Sequence, residues 1–278
     1  MKKLKQSLLL IAAASSMMVA CKKESLTPNE NDLTAIPSAA ANEKSEAGLI
    51  ASAQTYKLNR KGADTLIYNK DGRLGKVMKD PANYTVYTYG INSIRAKRYM
   101  SNTLWDEVFY FLDPSTGRAI ESTRKQYLWL GNDVNITYSG EVYVYDATGR
   151  LTSKYNKNKP KERFVYVQAN DNFTVDVYEA DDTYKYSHYY PLGTKVENKL
   201  KLNPENSGLD VYLKIFGTVS KYLPSSQLTM DIATLKWISG ENHEYTFNAD
   251  GYPTKLVRTD LLNGAAATRE GFGYIVGK

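Results

Sequence analysis

Apolar and polar residues alternate with a period of two along most of the chain after Tyr56. Runs such as NYTVYTYG, EVYVYD and RFVYVQ show this alternation, and clusters of Gly, Asn, Asp and Pro separate the runs. A period of two places successive side chains on opposite faces of a β-strand, and short polar breaks indicate hairpins. No long amphipathic helical pattern alternates with these runs, which disfavours a parallel sheet. The pattern predicts an all-β fold, a large antiparallel meander.

One segment departs from this alternation and follows helical spacing instead. Its apolar positions fall at i, i+3, i+4 and i+7 and are Leu209, Tyr212, Leu213 and Phe216. Ser207 is placed to cap the start of a helix and Gly217 to end it. We therefore expect one short helix near 208–216 that covers one end of the sheet.

Four polar turns share one form: an aromatic residue, a short polar stretch, a glycine and a residue that resumes the strand. They read YNKDGRL, FLDPSTGRAI, YDATGRL and FNADGYP. In the third, Asp146 can accept a hydrogen bond from the backbone two residues on, and Gly149 can adopt the left-handed conformation. The corresponding glycines elsewhere are Gly72, Gly117 and Gly251. These residues predict structural turns rather than a binding site, since no nucleophile, metal cage or phosphate cradle is assembled there.

The first residues of the chain have the layout of a bacterial export signal. Lysines among the first five residues precede an apolar run, 8–14, that is too short for a stable membrane span. Small residues follow, and Cys21 comes next as the only cysteine. The sequence MVAC resembles a lipobox, in which the cysteine is lipidated after the preceding peptide is removed. We expect residues 1–20 to be a lipoprotein signal peptide and the lipid on Cys21 to hold the chain on a membrane.

Residues 21–54 contain no aromatic side chain and are rich in Ser, Asn, Glu, Ala and Pro. Such a composition cannot bury enough apolar surface to fold, which predicts a lipid-anchored flexible tether. Its opening, CKKES, resembles the charged signals that send some Bacteroidetes-type lipoproteins to the cell surface. The rest of the chain, 55–278, is long enough for a single β-rich domain.

Tyrosine content and net charge narrow the functional classes. All 23 tyrosines lie from Tyr56 onward, and tyrosine suits a partly wet β surface because its ring packs while its hydroxyl reaches water. Removing the three lysines of the signal peptide from the 36 lysines and arginines leaves 33 against 30 acids, a net charge of +3. This near balance gives no support for nucleic-acid binding.

The turn YDATGRL resembles the YD repeat of RHS and teneurin-type proteins, whose hairpins build a β-sheet shell. More broadly, the lipobox, polar tether, DGRL-type hairpins and the late element FGTVSKYLPSS resemble an uncharacterised Bacteroidetes-type lipoprotein family. That family is described as having a porin-like β fold and no assigned activity. The resemblance implies that the meander is a strongly curved or barrel-like sheet, in an outer-membrane lipoprotein on the periplasmic face or the cell surface. It brings no catalytic residues.

The sequence contains few motifs that are typical of catalytic or metal-binding sites. His188 and His243 lie in no metalloprotease motif, so we expect no metal site and no cofactor. The acids Asp181 and Asp182 are adjacent, and neighbours on a strand point to opposite faces, so they indicate a loop. The sequence DTL resembles an O-glycosylation acceptor, with Thr65 as the candidate. Three tryptophans are the candidate aromatic platform for a ligand: Trp105, Trp129 and Trp237.

These observations favour a non-enzymatic binding or interaction module with a glycan or an envelope protein as its ligand, because aromatic faces stack on sugars and pack on proteins. One alternative is a hydrolase of envelope or dietary polymers that uses an unidentified pair of carboxylates. A second alternative is a purely structural surface module. The absence of a catalytic motif makes an enzyme the less favoured of these hypotheses.

Overall fold

The computed structural model describes residues 56–131, 133–169, 172–193, 195–217, 219–264 and 267–276. The predicted signal peptide, the predicted tether and Cys21 lie outside the described residues. Sixteen strands occupy the described ranges. They are β1 Tyr56–Lys61, β2 Asp64–Tyr68, β3 Leu74–Asp80, β4 Asn83–Tyr89, β5 Ser93–Met100, β6 Thr103–Leu112, β7 Ala119–Leu130, β8 Asp133–Tyr145, β9 Leu151–Asn156, β10 Lys159–Gln168, β11 Asn172–Tyr178, β12 Tyr184–Pro191, β13 Ser226–Asp231, β14 Lys236–Phe247, β15 Pro253–Asp260 and β16 Thr268–Val276.

Each strand pairs in an antiparallel manner with its neighbours in the chain, and the sheet closes on itself. β16 pairs with β1 from Tyr56 opposite Val276 to Lys61 opposite Phe272. The closed sixteen-strand barrel confirms the predicted all-β fold with a strongly curved antiparallel meander. A barrel of this strand number encloses a space that the side chains of its own wall do not fill. The lumen therefore needs additional chain to exclude water.

The two rims of the barrel carry different turns. β1 begins with Tyr56 and β16 ends with Val276 at the same rim, which we call the terminal rim. Because neighbouring strands run in opposite directions, the turns that follow even-numbered strands lie at this same rim. It therefore carries all four repeat turns, at 68–74, 112–119, 145–151 and 247–253. The turns that follow odd-numbered strands form the opposite rim.

The connection between β12 and β13, residues 192–225, fills the lumen, and we call it the insert. The ring of Phe216 lies 5.7 Å from that of Tyr110 and 5.3 Å from that of Tyr143, both on the inner wall. The insert and the inner wall thus form one continuous core. The buried apolar residues of the insert are Leu192, Leu200, Leu213, Ile215, Phe216 and Val219.

The predicted helix near 208–216 is wrong. The described residues contain no helix, and this stretch of the insert is a series of turns. The Asp210 carboxylate accepts hydrogen bonds from the backbone N–H of Tyr212 at 2.9 Å and of Leu213 at 3.2 Å. The Asn203 amide donates to the Leu213 carbonyl at 2.9 Å. Side chains thus satisfy the backbone groups that a helix would pair internally. Because the wall surrounds this stretch, its apolar residues can be buried on every side and need not share one helix face.

Candidate functional site

Inward-facing tyrosines of the wall hold the insert through their hydroxyl groups. Tyr87 donates to the Asp210 carboxylate at 2.7 Å, and Tyr166 donates to the Ser207 carbonyl at 2.9 Å. Burial raises the pKa of both phenols well above the ordinary tyrosine value, so both stay protonated and keep donating. Part of the tyrosine content of this chain therefore serves the contact between the wall and the insert.

A second contact between the insert and the wall is ionic. Arg258 on β15 donates to the two carboxylate oxygens of Glu205 at 2.7 and 2.8 Å, and Lys61 on β1 donates at 2.6 Å. Burial by itself would raise the pKa of Glu205, but the hydrogen bonds from Arg258 and Lys61 and their positive charges lower it to about 2. This carboxylate stays ionised near neutral pH, where it serves as an anchor and cannot donate a proton.

A cleft opens at the terminal rim, between the first strands of the wall and the insert. Its lining contains the cations Lys57 and Arg73 from the wall and Lys199 and Lys214 from the insert, and no acidic residue of the described chain lines it. Asp71 pairs with Arg73 at 2.6 Å from outside the lining. The rings that line the cleft are Tyr56, Tyr68, Tyr89 and Tyr212.

The wall holds its two cations against aromatic rings. The Lys57 ammonium lies 3.9 Å from the centre of the Tyr68 ring and donates a hydrogen bond to the Gly72 carbonyl. The Arg73 guanidinium lies 4.4 Å from the centre of the Tyr89 ring. Such cation–π contacts limit the motion of both side chains, and the Asp71 carboxylate also orients the Arg73 guanidinium.

The insert supplies the other two cations from a different direction. Lys199 donates to the Asp250 carbonyl at 2.5 Å. Lys214 has no carboxylate partner within the described part of the chain, and its pKa is lowered by burial and by the charges of Lys201 and Lys57. The cleft therefore gathers like charges whose mutual repulsion a bound anion would relieve.

The predicted turn residues occupy the turns of the terminal rim. The Asp146 carboxylate accepts hydrogen bonds from the N–H of Thr148 and of Arg150, both at 2.9 Å. Gly149 has a φ of +78°, in the left-handed region that glycine adopts without strain. The equivalent glycines have the same property: Gly72 with φ +83°, Gly117 with φ +68° and Gly251 with φ +76°.

The structure separates the members of the predicted aromatic platform. Trp105 on β6 and Trp129 on β7 lie on paired strands, and the Trp129 indole donates to the Leu104 carbonyl at 2.9 Å. Trp237 lies on β14, on a different part of the wall. None of the three lines the basic cleft. A ligand platform at these tryptophans stays a prediction. Only Trp105 and Trp129, which lie on neighbouring strands, could belong to the same platform.

The remaining candidate residues lie apart from the cleft. His188 bonds the Thr229 hydroxyl at 3.0 Å, and burial lowers the pKa of His188 and of His243. Within the described ranges, no group of three or more His, Cys, Asp or Glu could hold a metal ion. Thr65 lies on β2, half-buried on a strand that is paired on both sides, and its glycosylation stays a prediction.

The cations of the cleft were not identified from the sequence. Lys57, Arg73, Lys199 and Lys214 come from distant parts of the chain, and their convergence depends on closure of the barrel and on the path of the insert. Two weak signals were present. The repeat turns place an arginine after the glycine in three of four cases, and the segment KLKLNPENSGLDVYLK is rich in lysine.

No helix in the part of the chain that the structure describes is long and apolar enough to cross a membrane. No family model matches the chain, and no curated protein matches it. Several solved structures are similar in fold, among them two porin-like proteins. A porin-like protein from Bacteroides vulgatus ATCC 8482 matches with a TM-score of 0.55 and 17% identity over 80% of this chain and 99% of that chain. A porin-like protein from Bacteroides uniformis ATCC 8492 matches with a TM-score of 0.52 and 15% identity, over 82% and 93%. At these identities the similarity establishes a porin-like β fold.

Proposed function

We propose that this chain is a non-enzymatic binding module of a bacterial cell envelope, anchored by lipid on Cys21, whose ligand is an anionic glycan held in the basic cleft. The observation that carries the proposal is the convergence of Lys57, Arg73, Lys199 and Lys214 without an acidic residue in the lining. Four cations provide charge complementarity to a ligand with more than one acidic group, and the tyrosine rings provide flat surfaces for sugar rings.

The envelope location rests on the export signal and the lipobox of the sequence, together with a fold like that of the Bacteroides porin-like proteins. The tether would let the barrel reach a ligand at some distance from the membrane.

The hydrolase hypothesis has less support. A glycosidase needs one carboxyl that carries a proton near neutral pH and one that is ionised. Glu205 is ionised by its two cations, with a pKa of about 2. The adjacent acids Asp181 and Asp182 are exposed in the turn before β12, where Asp181 accepts the Thr183 N–H at 2.9 Å and Asp182 pairs with Arg163. None of these three carboxyls fits the role of general acid. Burial raises the pKa of Asp210, but this side chain is engaged by Tyr87 and by the backbone of the insert, where it serves as an anchor.

Calorimetric titration of the barrel tests the proposal. The probes are a galacturonate trisaccharide, neutral maltotriose and inorganic phosphate. We expect the acidic trisaccharide to bind and maltotriose not to bind, with affinity that falls as salt screens the charges. Binding of phosphate alone would point to a small anion and against a glycan. Binding of none of the three would favour the purely structural alternative.

Matched variants locate the binding. The double variant Lys57→Gln and Lys214→Gln should weaken binding of the acidic trisaccharide about tenfold or more, because it removes two charges from the cleft. Lys255→Gln is the control, since Lys255 is an exposed lysine on β15 outside the cleft. An equal loss in both variants would show that the general charge of the protein, and not this cleft, attracts the ligand.

A further inference from the structure

The hairpin of β7 and β8 extends beyond the rest of the wall at the opposite rim. The two strands pair with each other up to Leu130 opposite Asp133. β6 pairs with β7 only as far as Gln126, and β9 pairs with β8 only from Glu141 onward. Residues 127–130 and 133–139 therefore form a two-stranded extension. Among the described residues, no strand pairs with the outer edge of β8 along 133–139.

This extension exposes far more apolar surface than two strands in water ordinarily support. Tyr138 is 67% exposed and Leu130 is 59% exposed. A two-stranded ribbon is only marginally stable by itself, and contiguous exposed apolar surface marks an interaction site. The exposed large apolar residues of the extension are Leu128, Trp129, Leu130, Val134, Ile136 and Tyr138.

The side chains sort onto the two faces of the extension. Tyr127 lies opposite Ile136 and Trp129 opposite Val134, and these pairs share one face with Tyr138. Because the Trp129 indole is held by the Leu104 carbonyl, this face has a fixed aromatic side chain. One face of the ribbon is thus apolar along its whole length.

The free edge of β8 lacks the features that keep sheet edges from pairing. Its sequence, DVNITYS, contains no lysine and no proline, and its single charge is Asp133 at one end. Natural edge strands are usually protected by such residues, by a bulge or by a covering segment. Every second residue along this stretch points its backbone N–H and C=O to the free edge, where another strand would satisfy them.

We infer that the free edge of β8 pairs with the same edge of a second copy of this chain, in an antiparallel register centred on Ile136. In this register Ile136 meets its own equivalent, Val134 meets Tyr138 of the second copy, and Asp133 meets Ser139. Apolar side chains then lie beside apolar ones, and no like charges are opposed. The arrangement has two-fold symmetry, so one contact satisfies both free edges and builds a four-stranded sheet with a continuous apolar face.

Sedimentation of the full chain carrying Cys21→Ser, from about 1 to 100 µM, tests the inference. We expect twice the monomer mass at the upper end of this range. Ile136→Lys opposes two positive charges at the two-fold axis and should weaken the dimer at least about tenfold. Val144→Lys is the control, because Val144 is an exposed apolar residue of the same strand in the part that pairs with β9. Thermal melting of both variants checks that each is folded.

Disulfide formation tests the register independently. Residues directly opposite in antiparallel strands have Cα atoms about 4.5–5.5 Å apart, within the range of a disulfide. In the Cys21→Ser background, Ile136→Cys should therefore form a covalent dimer under mild oxidation. Leu128→Cys, at a position that is more exposed than Ile136 but lies on β7, should not form one. A monomer at every concentration would overturn the inference and leave the edge to a foreign strand. A dimer that Ile136→Lys leaves intact would also overturn it.

Discussion

The wall and the insert use the same kinds of residue in different ways. In the wall, neighbouring strands satisfy the backbone, and side chains only have to alternate between the core and water. In the insert, no ladder is present, so carboxylates, amides and tyrosine hydroxyls satisfy the backbone one group at a time. The regular spacing of apolar residues therefore predicts the structure of the wall correctly, whereas in the insert it predicted a helix that the described residues do not form.

The comparison implies that the insert is as much a part of the core as the wall is. Phe216 is 1% exposed and packs on Tyr110 and Tyr143. We expect Phe216→Ala to lower the free energy of unfolding by about 3–5 kcal/mol, because a cavity replaces a buried ring. Denaturant unfolding measures the effect, with Phe111→Ala on the outer wall as the control, where Phe111 is 41% exposed. A loss below about 1 kcal/mol would show that the insert is only loosely attached.

The turns of the wall depend on backbone conformation more than on contacts. Gly149→Val should lower the free energy of unfolding by about 2 kcal/mol, because a β-branched residue is strained at a φ of +78°. Gly149→Asn should retain more of the stability than Gly149→Val, since asparagine tolerates the left-handed region. In both variants the new Cβ meets the Arg118 guanidinium, which lies at the end of a flexible side chain and can shift. Melting curves and titration with the acidic trisaccharide would be measured together. A variant that kept its melting temperature but lost binding would identify YDATGRL as a recognition site.

The junction of the two regions should be sensitive to acid. The pKa of Glu205 is lowered from 4.5 to about 2 in the folded chain. Because the folded value lies below the unfolded one, the stability from this group is fully present above pH 4.5 and is lost as pH falls toward 2. Glu205 is partly exposed, so solvent reduces the size of the effect.

Unfolding in denaturant between pH 6 and pH 2.5 would check this smallest of the three expected effects. Glu205→Gln should lower the stability near neutral pH and flatten the loss of stability below about pH 4.5, because the variant has no carboxyl to protonate there. The same pH profile in the variant and in the natural chain would mean that the ion cluster contributes nothing to the attachment of the insert.

The sequence predicted the wall more completely than it predicted the basic cleft. Alternation and the turns around Asp146 and Gly149 identified strands and hairpins because each of these depends on neighbours in the chain. The spacing of Leu209 and Phe216 wrongly predicted a helix. Because the lumen surrounds this segment, burial does not require its apolar residues to lie on one face. The basic cleft was not predicted because Lys57 and Lys214 are distant in sequence and are brought together only by the path of the insert.

By itself, the sequence determined the period-two wall, the antiparallel connectivity and the turns of the terminal rim, since local backbone preference and side-chain alternation suffice for these. The tertiary structure alone decided that β16 pairs with β1, that residues 192–225 enter the lumen and that four cations converge in a cleft with no acidic residue in its described lining. The physical reason is the range of the interactions. Alternation and turn chemistry act over a few residues, whereas barrel closure, filling of the lumen and the gathering of like charges bring together segments that no local pattern links.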